Sequence, residues 1–101
     1  MKNLPPKDPG ERKLLLFSYD GDLASDETVT LVSMQIEVLQ GADAGYAAVL
    51  DTPAVVLSAT RQVMQWVSLG LRDVDYGIRC LINGSKGGVH LSSCRLPVRR
   101  L

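Results

Sequence analysis

The sequence predicts an all-β fold, a two-sheet antiparallel β-sandwich of about seven strands preceded by an extended N-terminal arm. Three observations carry that prediction. Apolar residues recur with a period of two in several short runs, turn-forming residues interrupt the runs every eight to twelve positions, and no stretch keeps a helical period. The 101 residues fit one domain with one core, because folding at this size buries roughly 65% of the surface that the unfolded chain exposes.

Residues 1–12, MKNLPPKDPGER, contain three prolines and a glycine among mixed charges. Proline removes backbone donors, and so polar a segment offers little to bury, which predicts an extended arm that orders against a partner. Leu4, Pro5, Pro6, Lys7, Asp8 and Pro9 are its candidate contact residues, and residues 13–101 form the body. The first strand is KLLLFSY from Lys13, with Leu15, Phe17 and Tyr19 alternating with Leu14, Leu16 and Ser18. A polar connection follows, carrying Asp20, Asp22, Asp26 and Glu27.

In TVTLVSMQIEVL, Val32, Met34, Ile36 and Val38 share one face, while Ser33, Gln35 and Glu37 share the other. Val29 and Leu31 have the opposite parity, which predicts a bulge near Leu31. Residues 40–53 are turn-rich, with a short strand expected at Ala47–Leu50. AVVLS and RQVMQWVSLG are the next strands, and Trp66, the largest apolar side chain, is expected at the centre of the core. DYGIRCLI puts Tyr76, Ile78, Cys80 and Ile82 on one face; NGSKGG is a turn, and VHLSSCRLPVR is the last strand. The expected core is Phe17, Met34, Ile36, Trp66, Tyr76, Ile78 and Cys80.

Tyr76 follows the polar corner RDVD. Immunoglobulin-like sandwiches place a tyrosine here whose hydroxyl bonds back to the preceding corner; an ordinary core tyrosine is the other reading. Cys80 and Cys94 would be offset along the hairpin that holds them, which disfavours a disulfide and predicts two buried free thiols.

The chemistry-bearing residues do not assemble into a known site. Eleven Lys and Arg balance eleven Asp and Glu, with a pI near 6.5, so the chain lacks the footprint of a nucleic-acid or anionic-membrane binder. No apolar run is long enough to span a bilayer, and the polar, proline-broken N-terminus is unlike a signal peptide, which predicts a soluble protein made in the cytoplasm. A calcium loop counted from Asp20 would need glycine at the sixth position and glutamate at the twelfth, where Ser25 and Leu31 stand. His90 is the only histidine and has no acid paired with it in sequence, and NGSKGG lacks the spacing of a phosphate loop. The expectation is therefore no catalytic residue, no metal and no cofactor. The basic C-terminus CRLPVRRL has no interleaved aromatics, a weak nucleic-acid signal, and can instead pair with acidic patches on a neighbouring subunit.

From Lys7 to Val98 the chain resembles the small immunoglobulin-like structural proteins that tailed bacteriophages encode among their head and head-to-tail genes, some of them fibre-to-tail adaptors. The resemblance rests on Lys7-Asp8-Pro9, Phe17 and Tyr19, Leu23 followed by Glu27-Thr28-Val29, Trp66 ahead of Gly70 and Tyr76, Cys80, the turn residues Ser85 and Gly87, and Val98. Family members more often carry Trp at the position of Tyr19, and they carry glycine at that of Asp73. The resemblance implies that the acidic stretch is an inter-strand connection without a metal. It also implies a non-enzymatic virion protein, present in several copies in a symmetric assembly. Its neighbours would be portal, head-completion, capsid or tail-fibre subunits. Capsid decoration, a head-fibre role, or binding of host-surface glycans through a loop aromatic such as Tyr46 are the alternatives.

Overall fold

The computed structural model describes residues 2–19 and 21–101. Among these residues seven strands form two sheets packed as a β-sandwich. They are β1 (Lys2–Asn3), β2 (Lys13–Ser18), β3 (Val29–Gln40), β4 (Leu50–Leu57), β5 (Gln62–Val67), β6 (Asp75–Gly84) and β7 (Val89–Pro97). One sheet has the order β1-β7-β6-β3 and the other β2-β5-β4. All pairings are antiparallel except β1 on β7.

Period-two alternation builds the core. In β6 the inward row Tyr76, Ile78, Cys80 and Ile82 is completely buried, and Cys94 and Leu96 of β7, with Val98 just after it, continue that layer. Phe17 of β2 and Val63 and Val67 of β5 face it from the other sheet. Met34 and Ile36 are half-buried and pack against the same cluster. Tyr19 crosses between the layers: it is 1% exposed, and its hydroxyl donates to the Cys80 carbonyl at 2.7 Å. The bulge expected near Leu31 appears as a register shift between Leu31 and Ser33 of β3, and a second shift lies between Val38 and Gln40. Cys94 pairs with Ile78 and Cys80 with Ser92, so the cysteines are offset by two positions and both are free. Asp73 takes the left-handed backbone (φ 66°) that a glycine would adopt freely, a conformation aspartate tolerates better than most residues.

Three expectations require correction. Trp66 is not at the centre of the core. Val63, Gln65 and Val67 hold the inner face of β5, so the alternation turns Trp66 outward, where it is half-buried beneath the Arg12 guanidinium, 4.1 Å from the ring centroid. Inside, the Gln65 amide donates to the carbonyls of Thr52 and Trp66 (2.9 and 2.8 Å), satisfying backbone that the irregular pairing of β4 between Asp51 and Val55 leaves open. Second, Tyr46–Val49 is a 3-10 turn and not a strand; small alanines provide no side chain to hold a sheet there, and the Ala48 amide closes onto the Gly45 carbonyl at 3.1 Å. Third, residues 2–7 are extended but do not project: they lie against β7 and the C-terminal residues, and the chain then turns, the Glu11 amide closing onto the Asp8 carbonyl at 3.0 Å.

These positions separate two large-to-small substitutions that sequence alone would equate. Ile78→Ala should cost about 2–5 kcal/mol, as expected of a fully buried aliphatic. Trp66→Ala should fall clearly below the about 3–5 kcal/mol typical of a buried aromatic. Urea unfolding of both variants measures the difference.

Candidate functional site

The N-terminal segment is tied down in two unequal parts. β1 pairs Lys2 with Cys94 and Asn3 with Arg95, and the Leu4 amide donates to the Arg95 carbonyl at 2.9 Å. Pro5 and Pro6 have no amide hydrogen, so the next backbone bond comes from Lys7 to the Pro97 carbonyl at 2.9 Å. Both prolines are exposed, and Leu4 is half-buried.

Lys7 is different, being 1% exposed. Its ammonium donates to the carbonyls of Leu69 at 2.6 Å and Asp8 at 2.8 Å, and its own carbonyl accepts the Arg99 amide at 2.9 Å. Burial pulls its pKa below the ordinary lysine value, against the opposing pull of Glu11 and Asp8. The half-buried residues Asp8 and Pro9 begin a tight knot. Asp8 accepts the amides of Gly10 (2.8 Å) and Leu101 (3.1 Å), and the Glu11 carboxylate accepts the Asp8 amide at 2.9 Å. Residues 7–11 therefore belong to the body, and what remains of the expected arm ends at Pro6.

The loop 68–71 is held from two sides. Leu69 has a left-handed backbone (φ 56°), and its carbonyl receives the Lys7 ammonium. The Leu71 amide donates to the Tyr76 hydroxyl at 2.8 Å, and that hydroxyl donates to Asp43 at 2.7 Å. Tyr76 thus bonds back to its preceding corner. Burial, with the Asp43 carboxylate beside it, pushes its pKa up to about 12. Gly70 has φ 92°, and a Cβ there would come within 2.9 Å of Val98. So braced, the loop displays Leu69 and Leu71 to solvent at 58% and 51% exposure. Both line a cleft of about 350 Å³ with Pro9, Ala48 and Val49.

A second apolar surface covers the outer side of the three-stranded sheet. Leu14 pairs with Trp66, Leu16 with Met64, and Met64 with Val55, so these side chains emerge on one face. Leu14, Leu16 and Val55 are exposed, while Met64 and Trp66 are half-buried. Outward positions of a free sandwich are ordinarily polar. The sequence carried a signal for this, because KLLLF is apolar at both parities where a half-buried strand alternates. Leu69 and Leu71 had no such signal, since their exposure follows from the loop geometry.

The other candidates resolve structurally. Glu27 is buried and accepts the amides of Ala24 (3.2 Å) and Lys86 (3.3 Å), while Asp26 pairs with Lys86 at 3.0 Å. The acidic stretch is thus an inter-strand connection stitched to the β6–β7 turn; Asp20 lies outside the described residues. Among the described residues no group of three or more His, Cys, Asp or Glu is placed to hold a metal, and no helix is long and apolar enough to cross a membrane. The basic C-terminus is partly consumed internally: Asp75, 4% exposed, pairs with Arg95 at 2.6 Å and Arg99 at 2.7 Å. Burial alone would raise the Asp75 pKa, but the two guanidiniums outweigh it and hold the carboxyl below the usual aspartate range. Burial pushes both thiols up, Cys94 to about 11.

Comparison with protein-family models, with curated proteins and with solved structures finds no match to this chain.

Two measurements follow from this geometry. Tyr76→Phe removes the partner of the Leu71 amide and should cost about 1–3 kcal/mol in chemical denaturation. Because the folded Asp75 pKa is depressed, its stabilisation is complete above the ordinary aspartate pKa of about 3.9 and is lost as pH falls through the folded value. Asp75→Asn should therefore flatten the acid limb of a urea-midpoint profile recorded against pH.

Proposed function

We propose that this protein is a non-enzymatic structural subunit of a bacteriophage virion, an adaptor that binds neighbouring subunits at the head-to-tail or tail-fibre junction. The observation that carries this reading is the apolar outer face formed by Leu14, Leu16, Val55, Met64 and Trp66. Apolar area on the solvent side of a sheet is stabilised by contact with another protein surface and gains nothing from water. Neighbouring virion proteins supply such a surface, and a rigid sandwich holds the patch in a fixed geometry. On this reading the protein is made in the bacterial cytoplasm and resides in the particle.

The strand order supports an immunoglobulin-like identity. In immunoglobulin domains strands B, E and D lie together in one sheet, and C, F and G lie together in the other. Here β2-β5-β4 and β3-β6-β7 reproduce that division, with β1 added in parallel to β7 and the tyrosine hydroxyl bonded to its corner. The alternative of glycan binding would rest on Tyr46 alone, exposed on its 3-10 turn, since Arg12 covers the ring of Trp66.

Leu16→Glu tests the reading. The side chain is exposed, so stability should change by no more than about 0.5 kcal/mol. Incorporation into particles, quantified by mass spectrometry of purified virions, should be lost. Wild-type incorporation of a folded Leu16→Glu protein would remove the outer face from the assembly.

A further inference from the structure

Residues 2–6 are the least secured part of the sheet to which they belong. β1 is two residues long, Leu4 is the one side chain of this segment that packs on the core, and Pro5 and Pro6 add no backbone bond. Leu4 stands between two cavities of about 220 Å³ each, opened where the segment fails to fill the seam between β7 and β2. Immediately afterwards the chain is fixed, since Lys7 is buried and bonded to Leu69. The sequence thus places a weakly held strand next to an immobile pivot.

Everything this strand touches sits along β7 and the facing edge of β2, so the same contacts can be made on a second copy. Five extended residues reach roughly 17 Å. A reciprocal exchange requires the two pivots to be close, with each arm running away from its own pivot along the other copy's β7. The pivot end of the molecule is also where Leu69 and Leu71 are exposed and where Leu101, 74% exposed, is bonded to Asp8. A two-fold contact at this end would bury those leucines against their counterparts. Arg72 and Asp73, exposed and 3.7 Å apart beside Leu71, present both charges there, so the two-fold sets each opposite the other's complement.

We infer that residues 2–6 are an exchangeable strand, which leaves its own β7 and pairs with β7 of a second copy in an end-to-end two-fold dimer whose new contact is made by Leu69 and Leu71. Exchange of an identical element creates an interface at little cost, because each bond broken is remade. The occupant of the groove is the one segment already shown to fit it. This inference goes beyond the assembly role proposed above and is tested on purified protein without particles, so either can fail alone.

The register supplies the test. Lys2 is exposed and lies directly beside Cys94 on the adjacent strand, at the roughly 4.7–4.9 Å strand spacing that suits a disulfide. Concentrated Lys2→Cys protein oxidised with diamide should yield a reducible covalent dimer on a denaturing gel. That dimer should be lost in Lys2→Cys/Cys94→Ala, and lost again when Leu69→Asp and Leu71→Asp are added to Lys2→Cys, while the circular-dichroism spectrum stays β. Monomer alone at every concentration, whether bridged internally or not, would overturn the exchange. So would a dimer that survives without Cys94. A ladder of higher species, or undiminished dimer in the leucine variant, would overturn the two-fold end-to-end arrangement.

Discussion

Strand β6 is bonded on both sides, to β7 and to β3, and its inward row from Tyr76 to Ile82 is shut off from water. Since successive side chains on a strand must alternate, burying this row determines what every neighbour can present. It sets Cys94 opposite Ile78, Met34 opposite Cys80, and the Tyr19 hydroxyl beneath the Cys80 carbonyl. A slip of one residue would carry the whole row to the solvent side, so the hydrophobic term fixes the register of both adjacent strands at once. The second sheet is then fitted to a surface already shaped.

The polar groups inside the protein lie mainly at its margins. Lys7, Glu27, Gln65 and Asp75 are all buried, and each ties segments distant in sequence: the N-terminus to the 68–71 loop, the acidic connection to the β6–β7 turn, β5 to the irregular stretch of β4, and β6 to the C-terminus. A buried polar group is costly unless its bonds are made, so each such tie holds its segments in one arrangement. Leucines that a core would ordinarily absorb are displayed outside. On the assembly reading proposed above, the division suits a shape that must stay constant while its surface engages others.

How much of this could be read from the chain depended on whether the signal was local. The β3 bulge was visible because Val29 and Leu31 break the parity of the residues after them. The position of Tyr76 after a polar turn at the start of a strand left two readings open, and the bond from the Leu71 amide to its hydroxyl decides between them. Trp66 was misplaced because its size argues for burial while its parity, set by Val63 and Val67, argues for the opposite face; in a sheet, parity wins. The arm was overextended because prolines and charges describe residues 1–12 equally well, whereas the burial of Lys7 depends on a carbonyl sixty-two residues away. Likewise, the pairing of Arg95 and Arg99 with Asp75 joins two segments that look like independent surface charges.

Gly84 ends β6 at a place where a Cβ would fall on the carboxylate of Glu27. The turn after it is exposed, and exposed turns usually accept substitution freely. This one is bound to the far connection: the Ser85 amide donates to the Thr28 carbonyl, and the Ser85 hydroxyl accepts the Thr28 amide. Two loops that look expendable on the surface are thus packed directly on one another, and neither can change size alone. Relatives of this protein should show the pair drifting in step, with a larger residue at the hairpin tolerated only where the glutamate has shortened.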